Sequence, residues 1–321
     1  MRTPERIARS GAPSPPLSPP PAPSPAEPAG AEPDLRYARP AAAIAECVTG
    51  YQLYVGRDGS ARPRTDWVLP GAANVRVSIG GGPVEVRLGR RGVATLPPVA
   101  LIGPTTYAPC ASTRGGVLVG FGVTPLGWGR LFRRPAAEWC DRAAPLADLV
   151  GPDLPDALLA RLSAMADPDE REVADVLDRL LAPLLDRPGP DEDAIRALAA
   201  ALADPAATSV ADVVERSGLP ALVLRRVAAR YFGTTTKILL RRARFLRAFL
   251  HFFRTGDEAG YPGIEDHYHD TSHFLRDADR FLGMTPRRFA ALSTASLDRS
   301  LRARATALGA STCVLHAPGP G

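Results

Sequence analysis

The apolar residues of this chain change their spacing once, near Pro145, and that change does most to limit what the chain can become. Before it, short apolar runs are punctuated by Gly, Pro and Asn. In "NVRVSI", Val75, Val77 and Ile79 alternate with Arg76 and Ser78; in "VEVRL", Val84, Val86 and Leu88 alternate with Glu85 and Arg87. A period of two sends successive side chains to opposite faces and marks half-buried strands. Several short strands with regular turns predict a barrel or sandwich, either a container for a small ligand or a packed scaffold. After Pro145, Leu154, Leu158 and Leu162, and then Val173, Leu177, Leu180 and Leu184, recur at helical spacing. The second set serves either a dimer seam or ordinary core packing, and so short a run favours the core. The expected fold is therefore mixed, with two domains: an N-terminal β-rich barrel- or sandwich-like domain and a C-terminal all-α domain.

The first 33 residues hold 11 prolines and few large apolar side chains. Such a segment buries too little surface to offset its ordering entropy, so 1–33 is expected to be a disordered tail. It lacks the apolar core of an export signal, and no run of about 18 apolar residues is available to span a membrane. Cys47, Cys110, Cys140 and Cys313 are widely spaced without a CxxC pair, which fits reduced thiols in a cytoplasm. The formal charge is +5, and placement says more than number. From Arg216 to Gly256 there are ten basic residues and no Asp or Glu. A block of one sign attracts polyanions such as nucleic acid.

Residues 34–150 read as the β-rich domain, 151–190 as a helical connector and 191–292 as helices with tight turns. "DRPGPDED" runs as a linker into an N-cap, and "DEDAIRALAAALAD" is a first helix. "TSVADVVERSGLPALVLRRVAARYFG" makes two helices with a turn at Ser217-Gly218. Thr208 or Ser209 caps the first, whose apolar face is Val210, Val213 and Val214. Leu219, Leu224 and Val227 lie on the buried side of the second, leaving Arg225, Arg226 and Arg230 outside. A long helix follows, with Lys237, Arg241, Arg242 and Arg244 on its basic surface.

The stretch "EDHYHDTSHFLRDADRFLG" raises a choice. His267, His269, His273 and Asp270 suggest metal ligands, but three or four must converge on one point, and Asp270 would leave a different side of a helix from His269. As the front of a helix the same residues make more sense. Asp270 or Thr271 is a good N-cap. Phe274, Ala278 and Phe281 share one face, Arg276 and Arg280 another. Gly283 stops the helix, and Thr285-Pro286 opens the next. This is a second helix-turn-helix, in which His273 either donates to a phosphate or caps the helix. Neither a metal nor a cofactor is expected. Paired carboxylates, a nucleophile–base set and a phosphate loop are all missing, so an enzyme is not expected.

"YHDTSHFLRDADRFLGMTPRRF" resembles the C-terminal signature of AraC/XylS-type transcriptional regulators. The stretch "SVADVVERSGLPALVLRRVAARYFGTTTKILLRRARFLRA" is similar to the family's first helix-turn-helix and linker helix. The resemblance covers about residues 191–292. "LIGPTTYAPC" and "VGFGVTPLGWGRLFRRPAAEWCDRAAPLADLVG" are similar to the β-rich sensor domains of one subgroup. The resemblance implies two recognition helices, held by one long helix, in successive major grooves about 34 Å apart. Carried over by position, the first presents Leu222, Val223, Arg225 and Arg226. The second presents Thr271, Ser272, Leu275 and Arg276, with His273 at its start. Arg230, Arg242 and Arg280 become phosphate contacts, which position without specifying. Double-stranded DNA is the implied partner. A small-molecule effector of unnamed chemistry, RNA polymerase and a second copy of the chain are further candidate partners.

Several positions depart from the family pattern. Leu222 and Val223 replace polar residues, and Ala228 and Ala278 each replace a core aromatic. Asp279 stands where Lys is common. The segment 258–267, "EAGYPGIEDH", replaces a regular helix. Pro in a helix interior costs about 3 kcal/mol and Gly about 1, so a short, bent or partly unwound helix is expected there. Two functions follow: a cytoplasmic, sequence-specific transcriptional regulator, or a degenerate relative that binds a ligand or protein and holds DNA weakly and non-specifically. The tail 293–321 resembles nothing useful.

Overall fold

A computed structural model of the chain describes residues 33–56, 63–89, 92–255, 260–261 and 263–308, except the side chains of 293–296 and 304–308. The expected tail 1–33 lies, apart from Pro33, outside the described residues, as do Cys313 and the end of the C-terminal tail.

The strands are β1 (Asp34–Ala38), β2 (Val48–Gly56), β3 (Arg64–Trp67), β4 (Ala73–Ile79), β5 (Glu85–Arg87), β6 (Val93–Thr95), β7 (Val99–Ile102), β8 (Cys110–Thr113), β9 (Gly116–Val123) and β10 (Ala143–Pro145). They form two antiparallel sheets, ordered β1-β2-β9-β4-β7-β10 and β3-β8-β5-β6. The period of two sorts the faces of the larger sheet. On β4, Val75 and Val77 are buried in a core shared with helices, while Asn74, Arg76 and Ser78 face a cavity between the sheets. On β2, Tyr51 and Leu53 join the core, and Gln52 and Tyr54 line the cavity. The polar set of alternating positions thus faces an internal space rather than bulk water. At Gly120 on β9 a Cβ would come within 2.4 Å of Arg76 Nη1, the movable end of a side chain that lies close over this glycine.

Helices α1 (Pro125–Leu131), α2 (Ala147–Val150), α3 (Asp153–Ser163) and α4 (Glu170–Leu185) follow the strands. The apolar stripes of α3 and α4 enter the core under the larger sheet through Leu154, Leu158, Leu162, Val173, Leu177, Leu181 and Leu185. Tyr51 Oη donates to Asp178 of α4 at 2.5 Å. The connector is therefore one layer of the β-domain's own core. Of the residues that could form a seam, Val173 and Leu177 are covered by the sheet, and Leu184 is exposed.

The remaining helices are α5 (Glu192–Ala203), α6 (Val210–Ser217), α7 (Ala221–Val227), α8 (Thr236–Thr255), α9 (Thr271–Leu282) and α10 (Pro286–Leu308). The core does not divide at residue 190. Leu198, Val213, Leu224, Val227 and Leu239 continue the core beneath the sheet. A second core, built on Phe245, Phe249, Phe274, Phe281 and Phe289, joins α8, α9 and α10. Among the described residues no helix is long and apolar enough to cross a membrane.

Candidate nucleic-acid interface

The first helix-turn-helix is α6 and α7. Ser209 caps α6 in a reciprocal box: its Oγ accepts from Asp212 N (3.1 Å), and Asp212 Oδ2 accepts from Ser209 N (3.0 Å). Gly218 ends α6 at φ 65°, the left-handed conformation a C-terminal stop requires. Val213 is buried, but Val210, expected beside it, is exposed. A single π-turn over Ala228–Phe232 extends α7 to Gly233.

On α7, Leu222 is 67% exposed and Val223 packs partly into the core. Arg225 is exposed and has no partner among the described residues. Arg226, expected to read bases, instead forks onto Asp191 (Nη1–Oδ2 2.6 Å, Nη2–Oδ1 2.8 Å). Tyr231 Oη adds a third bond to that carboxylate at 2.9 Å. Asp191 holds φ 64°, rare for a residue with a side chain, and stands at the N-cap position of α5 without a side-chain capping bond. The Arg226 guanidinium, and then Tyr231, hold the Asp191 carboxyl down at about 2. Arg230 is half-buried, its Nε donating to Tyr231 Oη at 3.1 Å, so its assignment to a phosphate has a competing partner in the fold.

The linker helix α8 corrects the sequence reading most. Arg242, expected on a phosphate, donates Nη1 to the Thr105 carbonyl (2.8 Å) and more weakly to that of Gly71 (3.4 Å). It binds the β-domain, and burial pushes its pKa below the usual guanidinium value. Arg241 pairs with Asp277 of α9. Arg244 lies 4.8 Å over the Tyr268 ring. Of the four basic residues expected on the surface of α8, Lys237 is exposed and these three turn inward. The reason is that α8 is covered by the first unit, the second unit and the β-domain, so even its polar positions meet protein.

In the second unit Asp270 is the N-cap of α9, accepting from His273 N at 2.8 Å, and His273 Nδ1 sits 2.9 Å from Asp270 Oδ2. His273 therefore serves the cap. Among the described residues no three His, Cys, Asp or Glu side chains converge on a metal position. Thr271, Ser272, Arg276 and Arg280 are exposed, and Leu275 is half-buried. Arg276 makes no hydrogen bond or close ion pair among the described residues, though after the His273 N–H its charge helps to hold the Asp270 carboxyl below its ordinary value, while Arg280 lies 6.0 Å over the Phe281 ring. Gly283 stops α9, and Pro286 opens α10, as expected.

One expectation here needs correction, and one residue was overlooked. The helix awaited over 258–267 is replaced by turns among the described residues; Glu258, Ala259 and Pro262 lie outside them. Ile264 and Tyr268 anchor these turns in the second core. Asp277, unremarked in the sequence, is 1% exposed and holds three partners: Arg241, Arg244 at 3.8 Å and Tyr268 Oη at 2.8 Å. Its signal was available, because 274, 277, 278 and 281 form one helical stripe. A carboxylate within a buried stripe demands a cation beside it. The β-domain also grips α9 directly, through Ala108 N donating to the Phe281 carbonyl at 2.7 Å.

The cavity between the sheets measures about 260 Å³. Tyr54, Trp67, Val86, Leu96 and Leu118 supply much of its apolar wall, and Asn74 and Arg76 supply polar groups. Leu246 of α8 and Leu297 and Leu301 of α10 also line it. The tail beyond Leu292 is thus partly helix and partly cavity wall.

The molecule is a pair of antiparallel sheets joined to one helix-turn-helix, α6 and α7, and to a second unit, turns followed by α9 and α10, on the common helix α8. No family model matches the chain, and no curated protein matches it. Among solved structures it is similar to ToxT from Vibrio cholerae, with a TM-score of 0.44, 10% identity, 76% of this chain and 99% of that chain covered. It is similar to ToxT of V. cholerae strain SCE256 with unsaturated fatty acid bound, at 0.41 and 12%, covering 76% and 95%. It is also similar to the AraC-like transcriptional activator CuxR, at 0.26 and 12%, covering 62% and 76%.

Proposed function

We propose that the chain is a cytoplasmic, sequence-specific regulator of transcription that binds double-stranded DNA through α7 and α9 and senses a small molecule in its β-domain. One observation carries this reading: each of the two recognition helices keeps one exposed guanidinium without a hydrogen bond or close ion pair among the described residues, Arg225 on α7 and Arg276 on α9. A guanidinium in the major groove binds guanine O6 and N7 in a bidentate fork. Leu222 is exposed one turn before Arg225, and Thr271 and Ser272 are exposed in the turn before Arg276; a methyl-bearing thymine edge suits Leu222. Arg280 is the best remaining phosphate contact.

Selection from a random duplex pool, followed by anisotropy titration, tests the proposal. The parent should enrich a motif and bind it with strong salt dependence. Arg225→Glu and Arg276→Glu should each abolish the preference. A parent that prefers no duplex over competitor, with or without cell-extract metabolites, overturns it.

The second reading is a degenerate relative that binds a ligand or protein and holds DNA only weakly. It is favoured by the Arg226–Asp191 fork and by the turns that replace the first helix of the second unit. It expects binding that unlabelled random duplex competes away fully.

A further inference from the structure

The cavity has a wall that the β-domain does not supply. Leu297, Ser300 and Leu301 of α10 close one side, and Leu297 is 6% exposed. Tyr37 Oη and Ser300 Oγ, 2.7 Å apart, fasten α10 to β1. The same helix begins inside the second helix-turn-helix, where Phe289 is fully buried and meets Phe249 edge-on at 5.6 Å. Trp67 of β3 lines the cavity and touches Phe289 edge-to-face at 6.1 Å. One unbroken helix of 23 residues, about 35 Å long, therefore joins the cavity to the core that seats α9.

We propose that the C-terminal half of α10 is the lid of this cavity, that the cavity takes a compact ring-bearing molecule with one hydrogen-bond-donating head, and that α10 passes its occupancy to α9. The ligand class follows from the walls. The volume is below the usual range of ligand sites, which selects a compact molecule, and Tyr37, Tyr54 and Trp67 offer flat apolar faces. Asn74 Oδ1 is buried without a hydrogen-bond partner, so an O–H or N–H on the ligand would satisfy it. Because the cavity exists with α10 in place, the lid governs how quickly a ligand leaves. The regulatory meaning rests on the function proposed above; the lid itself does not.

The test uses the full chain without DNA, so that failure of the DNA reading leaves it standing. The probes are 4-phenylphenol and biphenyl, which differ only by the donor. The parent should bind 4-phenylphenol saturably and more tightly than biphenyl, and Asn74→Leu should erase that difference. The double variant Tyr37→Phe, Ser300→Ala removes the fastening and leaves Leu297 and Leu301 in place. It should release 4-phenylphenol roughly fivefold faster in stopped flow, the effect of one lost hydrogen bond. If it is poorly folded by near-ultraviolet circular dichroism, Ser300→Ala alone carries the same expectation. Bound 4-phenylphenol should slow amide exchange in α9 in the parent, and less so in the variant. Absence of saturable binding, an unchanged release rate, or α9 exchange indifferent to the probe would each overturn the proposal.

Discussion

Replacing Arg242 by Met separates the two roles open to that side chain. Met keeps much of the apolar stem and removes the guanidinium. What is lost is a charged bond to the Thr105 carbonyl at 2.8 Å, with a longer one to Gly71. The Gly71 carbonyl keeps its bond from Thr105 N at 2.9 Å. A hydrogen bond to a charged group contributes about 1.5–3 kcal/mol. Part of that is returned, because burial disfavours the charge and its loss relieves that cost. The net loss should be about 1–2 kcal/mol, a fall in melting temperature of roughly 2–6 °C for a unit this large. Urea unfolding gives the first quantity. The slope of log affinity against log salt gives the discriminating one, since each phosphate contact contributes about −0.9. Arg242→Met should lower stability and leave that slope unchanged. Parental stability with a slope reduced by about one would show that Arg242 holds a phosphate, and the latch argument would fall.

Other variants test the remaining assignments. Arg276→Ala should cost about 1–3 kcal/mol at one guanine position and relax preference there; uniform weakening across all sequences would reassign it to the backbone. Asp277→Ala should destabilise the chain by about 2–4 kcal/mol in chemical unfolding, towards the low side of a broken buried pair because Arg241 can rehydrate; a neutral outcome would refute the network. Asp191 should make stability depend on acid. Its folded pKa, about 2, lies below the ordinary carboxylate value, so its contribution is fully present above about pH 4 and is lost as pH falls towards 2. With Arg226 half-exposed the amount is under about 1 kcal/mol. Asp191→Asn should remove that part of the acid dependence, and identical acid profiles would count against the pair.

Much of the architecture is legible in the chain itself. The switch from period two to helical spacing separates strands from helices. The caps and stops are local chemistry that needs only neighbouring residues: Ser209 and Asp270 are each one of the two caps the sequence offers, and Gly218 and Gly283 stand at the turns it marks. The Arg225 and Arg276 side chains, judged to lie outside the cores by spacing alone, do lie outside.

What the spacing cannot supply is the identity of the thing each face meets. Alternation on β4 marks a half-buried strand and leaves open whether its polar face lines a container, and the fold makes that face one wall of a cavity. A run of arginines on α8 reads as a surface for polyanions, yet three of them find a carboxylate, a ring or a pair of carbonyls brought from residues 71, 105, 268 and 277. Alternation and helical period are properties of one segment, so the sequence alone determined most of the elements and caps, but not the turns before α9, the exposure of Val210 or the burial of Asp277. A charge's partner depends on which distant segments the core draws together, and only the tertiary structure decided that.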